Sequence, residues 1–336
     1  MRSRATVSTV LDDIGIGADR IAACSPLTGG TYNTVTRVTL TDGRDWVVKI
    51  PPPTTARMSY ERDLLVNEVT FYSAAAATGD VAVPRVVHSR LDPGSATGPY
   101  LIMSACPGQP WYGIGPALAD REERRLRHEL GRLVGRLHSV TGPGGFGYPA
   151  RALGPLAPTW GQAFTAMTDA VLADADTHSA RLPRRTDAIR ALLAAAAPVL
   201  DDVTRPALVH FDLWQGNLLV DGEPGARTIG GIIDGERMFW GDPAADFVSL
   251  ALLGDVEKDE DLLAGYASSA ADGAVVFDSS LRLRLALYRS YLYLIMLVET
   301  VPRRSSAEVR EWVWREVAPQ LESALLDVES ALRTRE

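Results

Sequence analysis

Residues 208–220 read LVHFDLWQGNLLV, and this stretch carries the pattern from which both fold and chemistry can be inferred. Its two ends are apolar and typical of short buried strands. Between them stand His210, Asp212, Gln215 and Asn217. Burying such groups costs about 1–3 kcal/mol each unless they find partners. A chain that interrupts two core strands in this way therefore indicates a chemical use for the polar side chains.

The polar residues of this stretch have the spacing H-x-D-x-x-x-x-N, which is that of a kinase catalytic loop. Asp212 can accept a hydroxyl proton, and Asn217 on the same loop can offer its amide oxygen to a metal ion. Downstream, IIDGE (232–236) places Asp234 at the end of a predicted strand. A carboxylate there suits the main Mg²⁺ ligand of a bound nucleotide. The set predicts a nucleotide-dependent phosphotransferase, because phosphoryl transfer needs mainly positioning and neutralised charge.

The first hundred residues contain the remaining parts of such a site. Lys49 ends the predicted strand DWVVK and is the only lysine of this region. Glu68 lies 19 residues later in a predicted helix. A strand lysine paired with a helix glutamate would hold its ammonium group against the α- and β-phosphates. Gly29 and Gly30 allow the backbone to approach phosphate closely.

The bulk composition is that of a globular protein. The chain has 336 residues, 46% hydrophobic and 23% charged, which is enough for a large core divided into two lobes. A net charge of −8 argues against nucleic acid as a partner. Two cysteines suggest no disulfide framework, and neither a signal peptide nor a membrane span is predicted. We expect a cytoplasmic protein; its oligomeric state is open.

The order of predicted elements indicates an α+β fold. Residues 1–104 read as a small antiparallel sheet with one helix, the nucleotide-binding lobe, and residues 105–336 as a larger, mainly helical lobe that holds the catalytic loop. The dipeptide Asp42-Gly43 predicts a hairpin turn. The predicted strands are 35–40, 46–50, 83–90 and 98–105, and the main predicted helices are 60–77, 121–140, 186–200 and about 306–333.

Several polar residues allow a structural as well as a functional interpretation. His210 is expected to hold backbone rather than to transfer protons, and His138 to belong to the core. Asp242 either caps the helix before Pro243 or braces the catalytic loop. The brace is favoured, with metal ligation as the lesser alternative. Glu236 could touch metal or substrate, or lie on the surface.

In combination these motifs resemble the aminoglycoside phosphotransferase and choline kinase-like family of small-molecule kinases. The segments that carry the resemblance are GGTYN (29–33), VVKI (47–50), YLIMSACPG (100–108), LGRLVGRLH (130–138), LVHFDLWQGNLLV (208–220) and IIDGERMFWGDPAADF (232–247). The resemblance implies a two-lobed protein-kinase-like fold with ATP or GTP between the lobes. This chain departs from the family at Ser104, where an acidic residue is common, and at Gly235, where many members have tryptophan.

The resemblance also implies a role for individual residues. Asp212 would be the catalytic base, Asn217 and Asp234 the Mg²⁺ ligands, and Lys49 the phosphate anchor. The backbone of Ser104 and Cys106 would meet the adenine.

The short connection between Asp234 and Asp242 restricts the acceptor. Seven residues intervene, which is too few for the segment that docks a peptide in protein kinases. We therefore expect a small hydroxylated acceptor, an aminoglycoside or another antibiotic being favoured. The acidic residues Glu236, Asp255, Glu257 and Glu299 would suit a cationic molecule.

Other acceptors and activities remain open. Sugars, amino sugars and fructosamines are alternatives, because DLWQGN resembles a motif of fructosamine-kinase-like proteins, and choline- or homoserine-like metabolites are further ones. A non-catalytic nucleotide-binding module and a two-metal hydrolase are the competing classes. The first is disfavoured because base, metal ligands and lysine are all present, and the second because Lys49 has no place in it.

Overall fold

The structure is a computed structural model that describes residues 6–27, 33–52 and 57–334. Gly29 and Gly30, expected to approach phosphate, lie outside the described residues.

A five-stranded antiparallel sheet is built from the amino-terminal part of the chain. Its strand order is β1-β2-β3-β5-β4. The bounds are Ile21–Pro26 (β1), Thr34–Leu40 (β2), Asp45–Ile50 (β3), Val86–Arg90 (β4) and Tyr100–Ser104 (β5). Four of these strands match the prediction within a few residues, whereas β1 was not predicted. Because β1 is exposed along most of its length, it has no clear apolar alternation to reveal it.

The predicted hairpin joins β2 to β3. Val38 pairs with Trp46, and the backbone N–H of Leu40 donates to the carbonyl of Arg44 at 2.8 Å. Gly43 has a φ of +85°, a conformation that glycine adopts without strain. The turn thus fixes the register that brings Lys49 to the end of β3.

The remaining elements are mainly helical. Among the described residues the helices are Val7–Asp13 (α1), Leu64–Ala76 (α2), Trp111–Ile114 (α3), Asp120–Ser139 (α4), Trp160–His178 (α5), Thr186–Ala196 (α6), Asp246–Leu250 (α7), Glu260–Ala267 (α8), Ser279–Val298 (α9) and Ala307–Arg333 (α10). Short strands Gln109–Pro110 (β6), Leu218–Asp221 (β8) and Thr228–Ile232 (β9) form one small sheet, and Ala207–Val209 (β7) pairs with Phe239–Gly241 (β10).

Two apolar cores divide these elements. One face of the sheet packs with α1 through a small cluster that includes Leu11, Val48 and Ile102. Helix α2 belongs to the large core, to which it contributes Phe71 and Tyr72 together with the helical part of the chain. Strand β3 contributes Val48 to the small core, and helix α2 belongs to the large core. The candidate site lies in the space where β3 and α2 face each other.

The helical part is closely packed around α4. The apolar face of α4 consists of the predicted leucines, Leu126, Leu130, Leu133 and Leu137, which are buried in the large core. Helix α4 also packs against α8 with the two backbones in close contact. A Cβ atom at Gly265 of α8 would lie 1.9 Å from the carbonyl oxygen of His128, so this contact requires glycine.

This architecture confirms the predicted α+β class with a small sheet lobe and a larger helical one. The boundary at residue 104 stays a prediction. None of the helices in the described ranges combines the length and apolarity that crossing a membrane requires.

Candidate active site

The candidate catalytic loop begins where β7 ends and leads into β8. Phe211, directly before Asp212, has a φ of +63°, which is unusual for a bulky residue. The backbone N–H groups of His210 and Phe211 both donate to the carboxylate of Asp246, at 3.0 and 2.6 Å. These two hydrogen bonds hold the strained backbone in place and so set the direction in which Asp212 points.

His210 has the structural role that its sequence context favours. Its Nε2 atom lies 3.0 Å from the carbonyl oxygen of Ile233, and its Nδ1 accepts the backbone N–H of Asp212 at 3.2 Å. This pairing assigns the ring proton to Nε2. The imidazole thus ties the loop of Asp212 to the strand end before Asp234.

Asp212 and Asn217 are in direct contact. The Asn217 amide nitrogen donates to the Asp212 carbonyl at 2.9 Å and to its carboxylate Oδ2 at 3.1 Å. Because the nitrogen faces Asp212, the amide Oδ1 points elsewhere and accepts no hydrogen bond from any described residue. Burial raises the pKa of Asp212, while the nearby Arg237 lowers it and Asp234 raises it further.

Lys49 connects the sheet, α2 and the strand end after β9. Its ammonium donates to both carboxylate oxygens of Glu68, at 2.8 and 2.9 Å, and to Asp234. Tyr72 donates to Glu68 and accepts the backbone N–H of Asp234, each at 2.9 Å. Burial alone would lower the pKa of Lys49, but Asp234, Glu68 and Glu236 raise it well above its ordinary value. The lysine is therefore charged.

Three carboxylates gather around this single ammonium. Ligand oxygens of Glu68, Asp234 and Glu236 all lie within 4.8 Å of one another. Glu236 is buried, accepts the Asn33 amide at 2.8 Å and lies 3.6 Å from the ammonium of Lys49. Burial, reinforced by Asp234, raises the pKa of Glu236 to about 8. Glu236 is thus part of the site, which decides between the two interpretations that its sequence context allows.

The interpretation of Asp242 as a brace of the catalytic loop is wrong. Asp242 accepts the N–H of Ala244, as a helix cap does, and bonds Arg284 and the hydroxyl of Tyr288. The brace is Asp246, four residues later, at the start of α7. The motif GDPAAD offers two aspartates to the same role, and spacing alone did not separate them.

His138 also belongs to this brace. Its Nε2 lies 3.0 Å from the carboxylate of Asp246, and its Nδ1 lies 3.0 Å from the hydroxyl of Tyr266. All three side chains are buried. His138 is thus a core residue, as its position on the apolar face of α4 suggests.

The acidic residues expected beside the acceptor separate into two groups. Glu236 and Glu299 lie in the site, and Glu299 is bonded to Arg237 at 2.9 Å. Asp255 caps a short helical turn, and Glu257 pairs with the exposed Arg282. The last two have surface partners.

Arg237 was missed by sequence reasoning. It is buried, and its Nε lies 3.8 Å from the Asp212 carboxylate. Arginine is so frequent in this chain that a single one carries no signal.

The segment expected to meet the adenine follows β5. The Ser104 N–H donates to the carbonyl of Arg85 at 2.8 Å, so that donor is occupied. The backbone of Cys106 makes no hydrogen bond within the described ranges and is free to bind. Its half-buried side chain packs on Gly231, where a Cβ atom would lie 2.6 Å from that of Cys106.

Comparison with known proteins yields one family match and several similar structures. Residues 23–279 match the model of a family described as the phosphotransferase enzyme family. A candidate fructosamine-3-kinase from Thermobifida fusca is similar in structure, with 19% identity, a TM-score of 0.65 and coverage of 98% of this chain and 100% of that one. A macrolide 2'-phosphotransferase from Brachybacterium faecium has 20% identity and a TM-score of 0.58, covering 93% and 98%.

An ADP-bound aminoglycoside phosphotransferase is similar as well, with 16% identity, a TM-score of 0.59 and coverage of 95% and 97%. At these identities the likeness shows a shared fold.

Proposed function

The chain belongs to the phosphotransferase enzyme family, and we propose that it transfers the γ-phosphate of ATP or GTP to a hydroxyl of a small molecule. The family expected from the motifs is thereby confirmed. The observation that carries the proposal is the contact of Lys49 with both Glu68 and Asp234, next to the loop of Asp212 and Asn217.

In the proposed reaction Asp212 receives the proton of the acceptor hydroxyl. The hydroxyl oxygen forms a bond to the γ-phosphorus as the bond to the bridging oxygen breaks, and a nucleoside diphosphate leaves. Asn217 holds the Oδ2 side of Asp212, and no described residue donates to Oδ1. Oδ1 is thus the atom that can accept the proton.

Mg²⁺ fits the donor set of this site. Side-chain oxygens of Asp234, Glu68 and Glu236, with the unused amide oxygen of Asn217, are hard ligands. We assign Asp234 and Asn217 as the ligands. When bound, the ion would neutralise phosphate charge.

The nucleotide is proposed to lie between the sheet and the helical part. Lys49, held by Glu68, would contact the phosphates, and the free backbone of Cys106 would contact the base. ADP is bound to one of the similar structures, which supports this assignment. Because ATP and GTP are cytoplasmic substrates, we place the protein in the cytoplasm.

For the acceptor, an aminoglycoside or another antibiotic is the first candidate, with resistance as the biological role. One observation favours the second candidate, a sugar, amino sugar or fructosamine. Glu299, expected to attract a cationic molecule, is already paired with Arg237. A polycation would therefore gain little from it.

A panel assay tests the function. ATP and GTP are each combined with aminoglycosides, nucleoside and peptide antibiotics, amino sugars, fructosamines, choline and homoserine. Mass spectrometry of the products then detects an added phosphate. We expect at least one phosphorylated acceptor, a loss of about 100-fold or more in Asp212→Ala with nucleotide binding retained, and no change in the surface variant Asp187→Ala.

Two results would contradict the proposal. Near-full activity of Asp212→Ala would refute the mechanism. Tight Mg²⁺-nucleotide binding without any phosphorylated product would favour a non-catalytic nucleotide-binding module.

A further inference from the structure

A chain of four ion pairs runs from the candidate base into the protein. Arg237 lies 3.8 Å from Asp212 and donates to Glu299 at 2.9 Å. Glu299 also lies 3.3 Å from Arg303, which in turn pairs with Glu61. Positive and negative groups thus alternate from Asp212 to Glu61, and the residues at the two ends are 151 positions apart in the sequence.

This chain of ion pairs is largely buried. The side chains of Arg237, Glu299, Arg303 and Glu61 are each at most 16% exposed. Burying an ion costs several kcal/mol (about 3–5) when its partner is missing. Because each inner member pairs with a neighbour on both sides, a change at one position removes an ion pair from the buried residues beside it. A buried series of ion pairs adds little to the free energy of unfolding, but it restrains the positions of the side chains that form it.

The far end of the chain is firmly anchored. Glu61 accepts the backbone N–H of Met58 at 2.8 Å. Between them, Ser59 donates its N–H and its hydroxyl to Asp174 of α5, at 2.7 and 2.6 Å. The turn 58–61 ends two residues before α2 begins at Leu64, and α2 carries Glu68. Both the lysine pair and the chain leading to Asp212 therefore depend on the same segment.

The near end acts on one oxygen of the base. Arg237 and Asn217 both approach Oδ2 of Asp212, at 3.8 and 3.1 Å. Because two groups approach Oδ2, they favour one orientation of the carboxylate, in which no described residue donates to Oδ1.

We propose that Glu299, Arg303 and Glu61 are positioning residues for phosphoryl transfer, which fix the guanidinium of Arg237 and through it the orientation of Asp212. This inference rests on the proposed function. None of the three residues needs to touch the acceptor or the nucleotide. They act by holding the guanidinium of Arg237 in one place, and a misplacement of about 1 Å can cost about 100-fold in rate.

The main test is Glu299→Gln, which keeps the size of the side chain and removes its charge. We expect kcat to fall about 10- to 100-fold, with KM for the nucleotide unchanged. Glu322→Gln is the matched control, because Glu322 pairs with Arg184 at 2.8 Å and lies on α10. We expect the control to keep wild-type kcat.

A double-mutant cycle separates positioning from general structure. In an Asp212→Ala background, Glu299→Gln should cause no further loss, because its effect passes through Asp212. Arg303→Lys keeps the charge and should lose less than Arg303→Met. An unchanged kcat in Glu299→Gln, or an equal loss with and without Asp212, would overturn the proposal.

A crystal structure of Glu299→Gln decides the inference independently of turnover. We expect the Arg237 guanidinium to have left its wild-type position and to have shifted toward Asp212, its remaining carboxylate partner. If it keeps the wild-type position, with Nε 3.8 Å from that carboxylate, the proposal is wrong even in an active enzyme. If the wild type transfers no phosphate to any acceptor, the proposed function fails, and the position of Arg237 still decides whether Glu299 holds it.

Discussion

Replacing Asp246 by alanine should both destabilise the protein and disable the candidate catalytic loop. The carboxylate is fully buried and accepts the backbone N–H groups of His210 and Phe211 at 3.0 and 2.6 Å. It also lies 3.0 Å from Nε2 of His138. Alanine would leave two buried N–H donors without partners, at about 1–3 kcal/mol each. We therefore expect the free energy of unfolding to fall by about 2–6 kcal/mol.

The loss of activity should be larger than the loss of stability alone implies. Phe211 occupies the left-handed region, a conformation that costs about 1–3 kcal/mol and persists only when its surroundings impose it. Without Asp246 the loop can relax and move Asp212. We expect phosphoryl transfer to fall about 100-fold or more in the fraction that stays folded.

Urea unfolding followed by tryptophan fluorescence measures the first effect, and the transfer assay at a temperature where the variant is folded measures the second. Asp278→Ala is the matched control, since Asp278 accepts one backbone N–H, that of Leu281, at the start of α9. Its loss should cost about 1 kcal/mol and leave activity unchanged. The reasoning would be refuted if the free energy of unfolding of Asp246→Ala lay within about 1 kcal/mol of that of the control. Full activity of Asp246→Ala would refute it as well.

Three further predictions concern single positions. Gly235→Ala would place a Cβ atom 2.5 Å from the Phe71 ring; thermal unfolding should show a loss of about 1–3 kcal/mol that Phe71→Leu partly restores, and wild-type stability of the single variant would contradict this packing. Burial raises the pKa of Cys106 to about 11, so about one thousandth of it is thiolate at pH 8; a thiol reagent should modify exposed Cys24 far faster, and equal rates would contradict the burial of Cys106. Asp234→Asn should raise the Mg²⁺ concentration for half-maximal nucleotide binding by about tenfold or more, measured calorimetrically, whereas an unchanged requirement would exclude Asp234 as a ligand.

Much of the site could be inferred from local sequence, because its residues lie on short, regular elements. Lys49 lies near the end of a strand whose register follows from the Asp42-Gly43 turn, and Asp212 and Asn217 share one loop. Glu68 lies in a helix that an apolar pattern identifies. In each case the position of a side chain follows from a few neighbouring residues, so the structure brings them together as expected.

The errors and omissions have a common physical origin. Asp242 and Asp246 stand in the same motif, and only packing against α4 and α9 directs one to the catalytic loop and the other to Arg284 and Tyr288. The strand β1 has no apolar alternation, and its place in the sheet follows from pairing with β2.

The sequence by itself determined the reaction type, the α+β class and most of the residues that come together in the candidate site, since these depend on residue type and short-range spacing. The tertiary structure decided which charges pair. Glu299 could have faced a cationic acceptor, but it binds Arg237 and Arg303, and Arg303 reaches Glu61 across 242 positions of sequence. A charge shows its sign in the sequence, but its partner depends on which elements pack together and exclude water, and that is a property of the whole fold.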